Sequence, residues 1–285
     1  MKIDPPSGML DAFPPRPVNA NKRSVGIVNV VGGSVKYPHA PVIAALGARS
    51  AGAGLVQIIS PVTSRAAAAA LVPEATMSKL GPTCVPPPAD VNVIGMGLGV
   101  SASSEAVVSR LLSGAKGRFV VDADALSILA SWYGKKGGCA PSAGLEMVFT
   151  PHEGEAARLL GCDCDSVRAD RESAAREIAS RYGATVVLKG PGTLVVSHDG
   201  SRVFKNTTGN PFMALGGMGD LLSGVIGARW AYLKGDPFSA ASSAVWLHGA
   251  ASDALVADCA DPSISSTAAR IGSLRVALES GRRSV

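Results

Sequence analysis

The sequence predicts an α/β fold: a mostly parallel central sheet flanked by helices on both faces, with an antiparallel hairpin toward one edge. Three observations carry this. The short β-branched segments are apolar throughout rather than alternating, as strands buried on both faces are. Ala-rich segments of helical length separate them, as crossovers between parallel strands require. Late in the chain the pattern changes, and two short segments flank Asp199-Gly200, a hairpin turn signal.

Residues 1–23 are rich in Pro and Asn and read as an irregular lead-in; residues 24–285 read as one domain. Residues 25–31 form a strand that stops at Gly32-Gly33-Ser34, and 40–51 a helix closed by Gly52. A strand over 55–59, a helix over 63–71 and a strand over 91–94 follow, the last running into Gly95-Met-Gly-Leu-Gly99. Helix 103–112 leads to strand 119–121, then Asp122-Ala-Asp124 and a helix over 125–130. Strand 147–150 precedes Pro151, which suits the first turn of a helix over 152–160. A longer helix spans 166–182, and the strand 185–188 ends the parallel pattern. Segments 193–197 and 202–205 form the hairpin; helices over 221–233, 237–256 and 266–278 complete the chain. There is no internal repeat, and Pro86-Pro87-Pro88 reads as a loop.

Composition narrows the function. Hydrophobic residues make up 47%, enough for a large core. The net charge is +5, and positive residues are scattered apart from Lys135-Lys136 and Arg282-Arg283. Nucleic-acid binders usually show a clustered basic stripe, so none is expected here, whereas anionic small molecules suit the balance. No run reaches the length needed to span a bilayer, and the N-terminus lacks an apolar signal core, so a cytoplasmic protein is expected. Five cysteines, an odd number, do not form a disulfide framework, and Cys162 with Cys164 lacks further ligands for zinc.

In open parallel sheets ligands sit beyond the carboxyl ends of the strands. The loops after the predicted strands therefore share one rim. The segment Asn210-Pro-Phe-Met-Ala-Leu-Gly-Gly-Met-Gly-Asp220 stands out among them and opens into a helix. Gly216, Gly217 and Gly219 let backbone N–H groups converge, and the helix adds its own N-terminal N–H groups, which suits phosphate. Asp220 at the edge of such a site fits a base that takes a proton from an attacking hydroxyl. The plainer reading is a tight loop with an acid at a helix start. Lys189-Gly190-Pro191-Gly192-Thr193 offers a cation and close backbone approach, or else a turn with a solvated lysine. His152 is a rim ligand or a satisfied histidine, and Glu155 an ordinary first-turn acid. Asp122 and Asp124 suit a metal near a nucleotide, or one of them a helix cap. His198 and His248 carry no context. Neither a Walker A loop nor G-x-G-x-x-G is present.

From about residue 25 onward the chain resembles the NAD(P)H-hydrate dehydratases, carbohydrate-kinase-like enzymes that repair hydrated nicotinamide cofactors. Gly32-Gly33-Ser34 with Tyr37 and Ala40-Pro41, and Ala51-Gly-Ala-Gly-Leu-Val56, carry the resemblance early in the chain. Ile94-Gly-Met-Gly-Leu-Gly99, Val121-Asp-Ala-Asp-Ala-Leu126 and Thr150-Pro-His-Glu-Gly-Glu155 continue it, followed by Val187-Leu-Lys-Gly-Pro-Gly-Thr193 and the Asn210 to Asp220 segment. The resemblance implies a ribokinase-like fold and an ADP-dependent hydro-lyase, with ATP dependence as the alternative. It implies that Asp220 lies beside the substrate and activates its hydroxyl. It assigns Lys189, Gly190, Pro191, Gly192, Thr193, Gly216, Gly217 and Gly219 to the nucleotide. Ala40, Gly97, Gly99 and His152 fall to the hydrated nicotinamide of NADHX or NADPHX. It further implies Mg²⁺ with the phosphates, a homotetramer, and pairing with a separate NAD(P)H-hydrate epimerase. The metal ligands are not specified. Two residues depart from the family pattern: His39 stands where Gly is usual and Met96 where Pro is usual, both toward the substrate side. A small-molecule kinase of the same fold, acting on a thiazole or pyridoxal alcohol, would share the glycine loop and base but stop at a phosphate ester.

Overall fold

The computed structural model describes residues 5–114, 116–133 and 144–281. Lys135-Lys136, Arg282-Arg283 and the first four residues lie outside the described residues. Nine strands form one sheet in the order β3-β2-β1-β4-β5-β6-β7-β8-β9. These are β1 (Ile27–Val31), β2 (Leu55–Ser60), β3 (Thr76–Lys79), β4 (Val91–Ile94), β5 (Gly117–Val121), β6 (Leu145–Phe149), β7 (Thr185–Leu188), β8 (Leu194–Val196) and β9 (Val203–Lys205). All neighbours from β3 to β7 are parallel; β7–β8 and β8–β9 are antiparallel. The expected sheet and its hairpin edge are both present. The fold is the anticipated mostly parallel α/β sandwich.

Each strand feeds two cores because successive side chains point to opposite faces. Val93, Val120 and Val187 enter one core, and their neighbours Ile94, Val121 and Leu188 enter the other. The first core is covered by α1 (Ala40–Ser50), α2 (Arg65–Leu71), α8 (Met218–Leu233), α9 (Pro237–Ala257) and α10 (Ile264–Glu279). The second is covered by α3 (Ala102–Leu112), α4 (Ala123–Tyr133), α5 (Glu153–Leu160) and α7 (Arg171–Tyr182). In α8 every residue from Leu221 to Ala231 is buried, as befits a helix enclosed on all sides. It lies against α1 almost backbone to backbone. A Cβ on Gly224 would meet the Ala44 carbonyl oxygen at 1.8 Å, and one on Gly47 the Leu221 oxygen at 2.1 Å.

Four elements differ from the sequence expectation. The edge strand β3 was not anticipated: Thr76-Met-Ser-Lys79 is mostly polar and exposed, pairs with β2 along its backbone, and sends only Met77 against the first core. The single helix expected over 166–182 is two, α6 (Cys164–Ala169) and α7, because Asp163 and Asp170 each cap a helix start. The helix expected from residue 63 begins as a 3-10 turn, Val62–Ser64. Finally, α8 starts at Met218, so Gly219 and Asp220 belong to its first turn rather than to the loop before it.

The segment that leads into β1 packs on the first core. Phe13 is buried edge-on to Trp246, and Arg229 on α8 donates to the Ala12 carbonyl while stacking over Phe13.

Candidate active site

The chain runs from β1 outward to β2 and β3, then returns to β4 on the other side of β1. That reversal opens a crevice at the carboxyl ends of β1 and β4. The loop after β4 enters it. Gly97 (φ +66°) packs so closely that a Cβ there would lie 3.0 Å from that of Ala40 and 2.8 Å from that of Tyr37. Gly99 donates its N–H to Asp124 Oδ2 at 2.7 Å, and a Cβ on it would meet open space. Ala40, Gly97 and Gly99 thus share one side of the rim. Of the two departures, His39 is exposed at the start of α1, whereas Met96 is fully buried in the first core.

Beside this crevice lies a charged centre. Lys189, just past β7, reaches Asp122 Oδ1 at 2.8 Å and Glu155 Oε2 at 3.8 Å. It is not the solvated turn lysine of the plainer reading. Asp122, just past β5, also accepts from Ser223 Oγ on α8 at 2.6 Å through Oδ2. His152 caps α5: its Nδ1 accepts from the N–H groups of Gly154 and Glu155, and Glu155 Oε2 accepts from the His152 N–H at 2.8 Å. This reciprocal capping turns Glu155 inward, so it is a buried partner of Lys189 rather than an ordinary first-turn acid.

Asp220 completes the centre from α8. Gly217 starts that helix in the left-handed region (φ +96°), a conformation a side chain would strain. The next first-turn N–H groups, of Gly219 and Asp220, have no carbonyl one turn earlier in the helix. Burial, then the charge of Asp122, raises the Asp220 carboxyl to about 7; Lys189 opposes this, and Glu155 and Asp124 add to it. Glu155 is raised by burial and by Asp122 against the pull of Lys189. Burial works against the Lys189 ammonium, but Asp122 and Glu155 outweigh it and raise its proton affinity.

On the far side of Gly219 opens a cavity of about 820 Å³, within the range of small-molecule sites. Lys189, Gly190, Pro191, Gly192 and Thr193 line it, with His152 and Gly219. Gly216 and Gly217 shape the turn into α8 but lie outside that lining, as do Ala40, Gly97, Gly99 and Asp220. In the first turn of α8, Gly219 therefore faces the cavity while Asp220, one residue on, belongs to the charged centre, whose Lys189 and His152 also line the cavity.

Sequence reasoning missed several contributors. Asn210 anchors the glycine loop by donating to Asp253 Oδ1 at 2.8 Å, and Asp253 Oδ2 accepts from the Gly209 N–H. Arg171 supports the loop after β7 through the carbonyls of Leu188 and Lys189. His248 lines the cavity, where burial lowers it to about 4 and leaves it neutral. Only Ser223 carried a usable signal: three residues after Asp220, it shares that helix face. Among the described residues no three His, Cys, Asp or Glu side chains are disposed to hold a metal. Asp122 and Asp124 have protein partners instead.

The family model described as NAD(P)H-hydrate dehydratase matches residues 28–271. The chain belongs to that family. Among curated relatives, the ADP-dependent (S)-NAD(P)H-hydrate dehydratase of Neisseria meningitidis serogroup B is 38% identical over 249 residues, covering 85% of this chain and 81% of that protein. The bifunctional NAD(P)H-hydrate repair enzyme Nnr of Escherichia coli K12 is 37% identical, covering 85% of this chain but 46% of its own length. Among solved structures, the ADP/ATP-dependent NAD(P)H-hydrate dehydratase of Bacillus subtilis, co-crystallised with ATP and Mg²⁺, superposes with a TM-score of 0.82 at 27% identity, covering 94% of this chain and 96% of its own. A ribokinase-like superfamily protein of Enterococcus faecalis gives 0.81 at 26% identity, covering 95% and 94%. The NAD(P)H-hydrate dehydratase family thus accounts for the ribokinase-like fold, and its members are hydro-lyases.

Proposed function

We propose that this member of the family is an ADP-dependent (S)-NAD(P)H-hydrate dehydratase, with Asp220 as its catalytic base. The observation that carries the reading is the place of Asp220: a carboxyl raised to about 7, one residue past a glycine that lines a nucleotide-sized cavity. A base of that strength is half ionised near neutral pH and accepts a proton without being quenched by solvent.

The nucleotide occupies the large cavity, with its phosphates over Gly190, Pro191, Gly192 and Thr193 and against the N–H of Gly219, while Gly216 and Gly217 shape the turn that presents it. The hydrated nicotinamide lies toward Ala40, Gly97 and Gly99, with His152 at the border, since His152 also lines the nucleotide cavity. Asp220 takes the proton of the ring hydroxyl as its oxygen attacks the terminal phosphorus of ADP. The bond to the bridging oxygen breaks and AMP departs. The ring nitrogen lone pair then expels phosphate, and loss of a proton from the neighbouring carbon restores the dihydronicotinamide. Lys189 and the helix N-terminus offset the charge on the transferring group. The protein's donor set suits a Mg²⁺ ion brought by the phosphates rather than a resident one, since the carboxylates nearest Asp220 already hold Lys189. When bound with the nucleotide, such an ion supplies further charge neutralisation.

Use of ADP follows the Neisseria relative, while the Bacillus neighbour is named for both nucleotides. Incubating hydrated NADH with ADP or with ATP and following return of the dihydronicotinamide absorbance tests this. Faster return with ADP, together with AMP formation, is the expected result; accumulation of a stable phosphate ester instead would make the protein a kinase. The proposal extends to a cytoplasmic homotetramer acting beside a separate epimerase. No described helix is long and apolar enough to cross a membrane, and the chain spans about half the length of the bifunctional relatives.

A further inference from the structure

We propose that Asp122 is the positioning residue of the site: its buried carboxylate fastens Lys189 of the nucleotide loop to Ser223 on the helix that carries Asp220, and turns its charge on Asp220. The inference rests on the reading of Asp220 as the base.

The geometry is fully engaged. Asp122 is 1% exposed, on the turn between β5 and α4. Oδ1 accepts from Lys189 Nζ at 2.8 Å and from the Ala123 N–H at 2.9 Å; Oδ2 accepts from Ser223 Oγ at 2.6 Å. Ser223 Oγ also approaches the Gly219 carbonyl at 3.1 Å, so the link reaches the first turn of α8. The backbone beside it is strained to allow this. Ala123 sits at φ +51°, one of three described non-glycine residues in the left-handed region. A carboxylate merely capping α4 needs neither that strain nor the lysine.

Two consequences follow. Lys189 is held at the wall of the cavity with its ammonium beside Gly219, where a Cβ would lie 3.3 Å from Nζ. The ammonium is thus in place before any phosphate arrives. The Asp122 charge also opposes ionisation of Asp220 and so strengthens it as a base. The other groups facing Asp220 are Asp124 from α4, Glu155 from α5 and Lys189 from the loop after β7. Around the same helix, α1 carries Arg49, which is paired with Glu74; α9 carries neutral His248; and α10 carries Arg275 and Glu279, which gather about Arg229 nearer its other end.

The test is titration of Asp220 in the ligand-free protein by carboxyl NMR, assigned by its loss in D220N, together with the pH profile of kcat/KM. In D122N the titration point and the acid limb should both move down by about one pH unit, because a like charge is gone and Lys189 is free to approach Asp220. In K189M, with the Asp122 charge uncompensated, the titration point should move up by about as much, and the double variant should return toward the wild-type value. If D122N does not fold, D122S carries the test, with the same downward shift expected. An unmoved titration point in a folded D122N or D122S overturns the role of Asp122. Normal turnover by D220N would instead overturn the reading of the base, and the ligand-free titration separates the two failures.

Discussion

Asp220 is half-buried in the first turn of α8, facing three carboxylates and one ammonium. Its carboxyl, raised to about 7, holds a proton more tightly in the folded protein than in the unfolded chain. That preference favours the fold fully below the unfolded value and is lost as the pH rises through 7. Asn at this position carries no charge to desolvate. D220N should therefore be more stable than wild type by about 2 kcal/mol at pH 8, discounted from the full shift for partial solvent access, and no more stable at pH 4. Denaturant melts at the two pH values check this; an equal gain at both would mean that charge is not the cause. The same shift sets activity. kcat/KM should fall about tenfold per pH unit below about 7, because only the ionised carboxyl accepts the proton.

At the scale of elements, the site depends on how closely α8 lies on α1 and the sheet. Gly224→Ala would place a methyl 1.8 Å from a backbone oxygen that α1 cannot move cheaply. A loss of about 3 kcal/mol or more is expected, with displacement of the first turn of α8 and loss of turnover, read by thermal melts and kcat. Ala123→Gly should do the reverse: it relieves the left-handed backbone next to Asp122, with stability unchanged or raised by up to about 1 kcal/mol. Most elements were legible in the sequence because apolar strands and Ala-rich helices each announce their own burial. The missing edge strand has no apolar run: Met77 alone reaches the core, and the pairing with β2 uses backbone groups that every residue carries. The split at Asp170 and the early start of α8 are decided by caps and a left-handed glycine, which periodicity does not report.

Across the whole molecule, the early segment at Arg16 and the last described helix meet α8 at one ion cluster. Arg229 pairs with Glu279 at 3.0 Å, and Glu279 also takes Arg275 at 2.6 Å and Arg16 at 3.3 Å. The cluster is asymmetric: Glu279 has three cations, whereas Arg229 has one carboxylate. Glu279→Ala should therefore cost about 3–5 kcal/mol, more than Arg229→Met, which leaves the glutamate paired and keeps an apolar stem. Comparing their melting temperatures checks the order. Glu279 and Arg229 were not readable as partners, being fifty residues apart on different helices. The site shows the same limit. The glycine loop, Asp220 and the 189–193 loop could be singled out from their own residues, because glycines and a lysine after a strand suggest an anion. Glu155 and Asp122 acquire their roles only when α5, the turn after β5 and the loop after β7 are folded together. The central claim, that Asp220 is the base of a nucleotide-driven dehydration, is tested most directly by mixing hydrated NADH and ADP with wild-type protein and with D220N. The dihydronicotinamide absorbance should return with the wild type and not with D220N, while D220N still binds ADP; return at a near-normal rate with D220N would contradict it.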